Sequence, residues 1–97
     1  MSLLVAQICA LNERDSIADV IRSIPRAIPG VDSVTVIVID DGSTDNTSRV
    51  ALEAGADKVV RHPHRRGLAQ AFQRGLDEAL RLGADIVVNI DADGQYR

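Results

Sequence analysis

An α/β fold on a parallel sheet of about four strands is predicted for this chain, and three observations predict it. Short β-branched runs alternate with stretches whose apolar residues recur at helical spacing, in the order β-α-β-α-β-α-β. The connections are long enough for right-handed crossovers, which parallel pairing needs. The last run, Asp85-Ile86-Val87-Val88-Asn89-Ile90, is apolar on both faces rather than alternating, as in a strand covered on both sides.

Each element has its own signal. Leu3 to Ala10 is mostly apolar and reads as a central first strand. A polar loop, Leu11-Asn12-Glu13-Arg14-Asp15, leads into a helix. There Ile17, Val20, Ile21 and Ile24 form one stripe, with Asp15 or Ser16 as N-cap and Pro25 at the end. Pro29-Gly30 marks a turn. Val34 to Ile39 is the strongest strand. It stops at Asp40-Asp41-Gly42-Ser43, and the capping residues Thr44 to Thr47 open a short helix through Val50, Ala51 and Ala54, closed by Gly55. Lys58 to Arg61 is a short third strand, and His62-Pro63-His64-Arg65-Arg66-Gly67 a basic loop. An amphipathic helix then runs from Leu68 to about Leu82, with Leu68, Ala71, Phe72, Leu76, Ala79 and Leu80 on one face. No internal repeat or linker divides the chain.

Composition narrows the function. Ninety-seven residues make one small domain. A net charge of -3 gives no general polyanion-binding surface, so nucleic acid is not an expected partner. The single cysteine, Cys9, offers neither a disulfide framework nor a zinc pattern. No apolar run approaches the roughly 20 residues of a membrane span.

The chemistry is expected at the carboxyl ends of the strands, where open parallel sheets bind ligands. Three ends carry acidic or polar loops (Asn12-Glu13, Asp40-Asp41 and Asp91-Ala92-Asp93) and one carries the basic loop. That mixture suits a metal with a phosphorylated ligand. Asp91 and Asp93, two apart in extended chain, point the same way and repel unless a cation joins them. Mg²⁺ or Mn²⁺ suits such hard oxygens, and Gln95 can add a third. Asp-x-Asp-Gly also reads simply as a capped strand end with a turn. Asp40-Asp41-Gly42-Ser43 likewise reads as a strand-to-helix turn, yet two carboxylates after an apolar run invite a ribose hydroxyl or base N–H, Asp41 first. His62, His64, Arg65 and Arg66 read mostly as a solvated loop, from which Arg65 or Arg66 reaches a diphosphate. Gly67, opening a helix, offers bare N–H groups to an anion. Neither a Gly-x-Gly-x-x-Gly after the first strand nor a P-loop is present.

Asn12-Glu13, Val-Ile-Val-Ile-Asp40-Asp41-Gly42-Ser43-Thr44-Asp45-Asn46-Thr47, Arg66-Gly67-Leu68-x-x-Ala71 and Asp91-Ala92-Asp93-Gly94-Gln95, in this order, resemble the inverting glycosyltransferases of family 2. The Asp-Ala-Asp-Gly-Gln form looks most like the dolichyl- and polyprenyl-phosphate sugar transferase branch. The resemblance implies the GT-A fold, of which this chain would be the Rossmann-like three-layer αβα, nucleotide-binding half. It implies a UDP- or GDP-linked sugar donor and Mg²⁺ or Mn²⁺. Asn12, Glu13, Asp40, Asp41, Arg66, Gly67, Asp91 and Ala92 would meet the nucleotide, and Asp91, Asp93 and Gln95 would hold the metal. Two positions depart from the pattern: Leu11 stands where an aromatic is usual, and Arg65 where an Asn is usual.

Members of the family continue well past Asp-x-Asp, with the acceptor site and any catalytic base. None of these residues is therefore expected to be catalytic, and the chain is expected to be the donor-binding part of a longer enzyme, inactive alone. The whole enzyme would act at the cytoplasmic face of a membrane on a lipid-phosphate acceptor such as a polyprenyl phosphate. A surface exposed by truncation could pair two copies into a homodimer. Two rival readings stand beside this one: a non-catalytic nucleotide- or metal-binding module, and a phosphohydrolase with Asp91 as nucleophile. Gln95 argues against the second.

Overall fold

A computed structural model of the chain describes residues 2–92. The elements follow the expected order: β1 (Leu3–Ala10), α1 (Ile17–Ser23), β2 (Ser33–Asp40), α2 (Thr47–Glu53), β3 (Lys58–Arg61), α3 (Leu68–Arg81) and β4 (Ile86–Asp91). The four strands form one sheet in the order β3-β2-β1-β4, and every pair is parallel. The chain steps outward from β1 to β3 and then crosses back to the far side of β1. The order therefore reverses at β1, where a ligand crevice opens in such sheets. Among the described residues, no helix is long and apolar enough to cross a membrane.

Alternation along the strands assigns the two faces. Ala6, Ile8, Ala10, Val36 and Val38 pack against Ile17, Val20 and Ile21 of α1 and Ala51 of α2. Val5 and Ile37 point the other way, onto Ala79 of α3. The result is three layers with β1 and β2 at the centre. Burying each of Ile17, Val20 and Ile21 contributes roughly 1.5–3 kcal/mol.

A repeat that the strand-and-helix reading passed over underlies the last two crossovers. Residues 51–60, Ala-Leu-Glu-Ala-Gly-Ala-Asp-Lys-Val-Val, and 79–88, Ala-Leu-Arg-Leu-Gly-Ala-Asp-Ile-Val-Val, share seven of ten positions. They fold alike. Each helix is closed by a bond six residues long, from Ala56 N–H to Ala51 O (3.1 Å) and from Ala84 N–H to Ala79 O (3.0 Å). Each aspartate then clamps the neighbouring strand, Asp57 partway along β2 and Asp85 at the start of β1. Asp57 N–H donates to Val36 O at 2.8 Å, and its Oδ2 accepts from Val36 N–H at 2.7 Å. Asp85 N–H donates to Leu3 O at 2.9 Å, and its Oδ2 accepts from Leu3 N–H at 2.7 Å. Asp57→Ala and Asp85→Ala are expected to cost about 1 kcal/mol each, and to add nearly independently, because they act on different strand pairs. Urea unfolding of the two single variants and the double variant measures this.

Two other expectations are corrected. β4 is not covered on both faces. It lies at the sheet edge, with Ile86 and Val88 exposed, because an apolar run does not say what lies over it. The apolar stripe of α3 is its buried face only in part: Ala71 and Ala79 of the stripe are buried, but its large residues are not. Leu68 and Leu80 are 75% and 70% exposed and Phe72 is exposed as well, while Ala71, Gly75, Glu78 and Ala79 are buried. The helix sits close to the sheet on small residues, and an added Cβ at Gly75 would run into the Gln7 carboxamide. Glu78 is tolerated there because Lys58 Nζ (2.8 Å) and Arg81 Nη1 (2.9 Å) surround it. The Lys58 bond, working against burial, holds its carboxyl below the usual range.

Candidate functional site

The strand ends are level. Ala10 pairs in register with Asp40, Asp40 with Arg61, and Cys9 with Asp91. The two adjacent aspartates after β2 therefore part company, as successive extended residues must. Asp40 turns into the α1/α2 layer and is fully buried. Its Oδ1 accepts from Ser43 N–H at 2.9 Å, and its Oδ2 accepts from the Ser48 hydroxyl of α2. Asp41 turns to the α3 side, where it is 5% exposed.

Asp41 organises the basic loop. Its Oδ1 lies 2.9 Å from His62 Nδ1 and accepts from Arg66 N–H at 2.8 Å, and its Oδ2 accepts from Gly67 N–H at 2.9 Å. Burial alone would raise this carboxyl, but the His62 contact and the two backbone N–H groups outweigh it and hold it below its ordinary value. Two expectations change here. The Gly67 N–H is not bare, because Asp41 is the anion that uses it. His62 is not solvated: it is buried against Asp41. Gly42, at φ +84°, makes this packing possible, since an added Cβ would stand 2.5 Å from Arg65 N and 2.6 Å from His64 C.

The first loop is knitted to the second. Asn12 has φ +53° and accepts Thr44 N–H on its Oδ1 at 2.8 Å, while its own N–H donates to Ser43 Oγ at 2.8 Å. Glu13 N–H donates to Thr47 Oγ1 at 3.0 Å. Ser16, the α1 N-cap residue, spends its hydroxyl elsewhere: its Oγ lies 3.0 Å from Glu13 Oε2 and 2.8 Å from Ala92 O. Ala92 is buried, and this contact ties the end of β4 to the start of α1.

Two adjoining cavities flank Cys9 at the point where the strand order reverses. One of about 150 Å³ is lined by Cys9, Ala10, Leu11, Asp41, Arg65, Leu68 and Ala71. The other, of about 380 Å³, is lined by Cys9, Leu68, Ala69, Phe72, Asn89, Ile90 and Asp91. The exposed Leu68 and Phe72 are thus walls of the crevice. Burial first, then the charge of Asp41, pushes the Cys9 thiol up to about 11, so it is not a nucleophile here. The side chain over the first cavity is Arg65, whereas the Arg66 side chain lines a separate cleft on the other side of the loop. Arg66 meets Asp41 through its backbone only. Ser16, Ser43, Thr47 and His62, which knit the loops, carried no signal beyond their capping or basic character. Among the described residues, no cluster of three metal-ligating side chains occurs. Asp91 is exposed at the end of β4. Asp93 and Gln95, the other expected metal ligands, lie outside the described residues.

Known proteins share this arrangement. Residues 6–97 match the model of glycosyl transferase family 2. The uncharacterized protein MJ1222 of Methanocaldococcus jannaschii is 34% identical over 87 residues, which is 90% of this chain and 34% of that protein. A mycobacterial protein of known crystal structure superposes with a TM-score of 0.77 at 38% identity, over 95% of this chain and 31% of that one. Glucosyl-3-phosphoglycerate synthase from Mycobacterium tuberculosis, solved with Mn²⁺, UDP and glucosyl-3-phosphoglycerate, gives 0.75 at 37% identity, over 94% of this chain and 33% of that one. The chain spans about a third of the length of these relatives. The parallel αβα sheet agrees with the GT-A fold of the glycosyltransferases it superposes on. With the model matching from β1 to the final residue, and the strand-end loops meeting around Cys9, the chain belongs to glycosyl transferase family 2.

Proposed function

We propose that the crevice around Cys9 takes a UDP-linked sugar together with Mn²⁺ or Mg²⁺, as the donor site of a longer glycosyltransferase. The observation that carries this reading is the placing of Asp41 and Arg65 on one cavity and Asp91 on the adjoining one, with Cys9 and Leu68 common to both, at the strand-order switch. The synthase solved with Mn²⁺ and UDP supports the same donor and ion. Asp91, Asp93 and Gln95 offer the hard oxygen donors that such an ion takes. When bound, the ion offsets the charge that builds on the departing nucleoside diphosphate. Asn12 and Glu13 bring the β1 loop to the nucleoside side. Arg65 supplies a guanidinium for the phosphates, a pairing favoured by its planar fork.

The acceptor belongs to the longer protein. A lipid phosphate rests on the motif resemblance alone. The similarity to a synthase whose bound product is glucosyl-3-phosphoglycerate favours a small phosphorylated acid instead.

Calorimetric titration of UDP and GDP into this chain, with and without Mn²⁺, tests the reading. UDP is expected to bind with Mn²⁺ and far more weakly without it. Arg65→Gln is expected to weaken binding roughly tenfold while keeping the metal dependence. Asp93→Ala is expected to remove that dependence. UDP binding that ignores both Mn²⁺ and Arg65→Gln would sink the assignment.

A further inference from the structure

Among the described residues, Gln7 Oε1 is the one buried side-chain polar atom without a hydrogen-bond partner. Gln7 lies in the middle of β1, is fully buried, and places its oxygen against Gly75 of α3. Its Nε2 donates two long hydrogen bonds, to Phe72 O at 3.5 Å and to Asn89 Oδ1 at 3.4 Å. A buried carboxamide with an unpaired oxygen costs stability, and a leucine of similar size would avoid that cost. Packing therefore does not account for Gln7. What it accomplishes is a bracket between Phe72 on α3 and Asn89 on β4, both of which line the cavity of about 380 Å³ beside Cys9.

The bracket fixes which end of the Asn89 amide faces outward. Phe72 O can only accept, so Gln7 turns its NH₂ group toward it and not its oxygen. The same NH₂ group needs an acceptor from Asn89, which presents Oδ1. Asn89 Nδ2 is left without a hydrogen bond among the described residues, on a side chain that lines the cavity. Asn89 pairs in register with Gln7, and Asp91 with Cys9, so both β4 side chains face the α3 layer, about 7 Å apart along the strand. The cavity thus has a carboxylate at its mouth, an amide donor further in, and Leu68 and Phe72 as apolar walls. Apolar walls with one placed polar group suit a small neutral polyol, whose C–H face meets the ring and whose hydroxyls seek partners.

We propose that Asn89 is a specificity-determining residue for the sugar of the donor, its Nδ2 donating to a hydroxyl oxygen of the hexosyl unit, and that Gln7 is the positioning residue that holds it so. The inference rests on the donor reading: with the nucleoside diphosphate and its ion held by Arg65 and Asp91, the sugar falls in the larger cavity.

Calorimetric titration of UDP-glucose and of UDP, both with Mn²⁺, into the parent chain, Asn89→Ala and Gln7→Leu tests it. Asn89→Ala, at an exposed edge-strand position, is expected to weaken UDP-glucose roughly fivefold and leave UDP as in the parent. Gln7→Leu is expected to weaken UDP-glucose by a smaller factor, again without touching UDP. It should add nothing when combined with Asn89→Ala, because the bond it steadies is already gone. A merely structural role for Gln7 would lower both ligands alike and persist in the double variant. UDP-glucose affinity unchanged in Asn89→Ala, or both ligands weakened equally, overturns the inference while the donor site stands. Binding of neither ligand by the parent chain removes the donor reading and this inference with it.

Discussion

Gly42→Ala is expected to lower the unfolding free energy by about 2–5 kcal/mol, a large share of the total for a small domain. Two costs combine. A side chain at φ +84° pays for the left-handed conformation. The new methyl also meets backbone, Arg65 N at 2.5 Å and His64 C at 2.6 Å, which has no rotamer through which to yield. The basic loop must retreat, and its Arg66 and Gly67 N–H groups leave Asp41 as it does so. Gly30→Ala separates the two costs. Gly30 has nearly the same φ, +85°, but nothing within 4 Å of an added Cβ. It should pay only the conformational cost of roughly 1–2 kcal/mol and leave UDP binding intact. Urea unfolding of both variants, with UDP titration beside it, reads the difference. Equal losses in the two would mean that the loop does not depend on close approach at Gly42.

Asp41→Asn should be nearly as severe, costing about 2–3 kcal/mol at neutral pH. The amide keeps the size and one accepting oxygen for Arg66 and His62. Its NH₂ then faces Gly67 N–H, donor against donor, in a site that is 5% exposed. The pH dependence has a definite sign. The Asp41 carboxyl titrates below its ordinary 3.8 in the folded chain. Its contribution is therefore fully present above about pH 4 and lost as the pH falls through the lowered value. The gap between parent and variant should narrow over that acid range. The parent will still lose stability in acid through Asp45 and Glu78, whose carboxyls also titrate low. A gap that stays constant from pH 7 to pH 3 would mean that the charge of Asp41 does not hold the loop.

Much of this was legible before any coordinates. An apolar run gave β1, and β-branched runs gave β2 and β3, within a residue or so of their ends, because the signal is local and strong. That the loops carrying Asp41 and Asp91 lie at the same edge of the sheet followed from placing strand ends together. What was not legible depended on tertiary contacts. Whether Arg65 or Arg66 faces the crevice is decided by how the loop packs on Gly42, which loop composition does not encode. The partners of Asp41 include His62, whose neighbours Pro63 and His64 are exposed and give no hint of burial. The buried face of α3 includes Gly75 and Glu78, which look neutral or polar in sequence, while the large apolar Leu68 and Phe72 serve as crevice walls and Leu80 is exposed. β4 was read as covered because its composition reports hydrophobicity and not neighbours.

The paired Gly-Ala-Asp turns give the two edges of the sheet different duties. In a parallel sheet, a slip of one residue sends every side chain to the opposite layer. Such a slip in β4 would carry Asp91 away from Cys9 and into the α1 side. The Asp85 clamp on Leu3 opposes it at the amino edge, one strand length from Asp91 and roughly 20 Å from the crevice, and the Asp57 clamp on Val36 does the same for β3. Alignment is thus set where no ligand binds. The loops at the opposite edge, including Leu11 and Arg65 with their unusual identities, are free to change specificity while the strands beneath them keep their places.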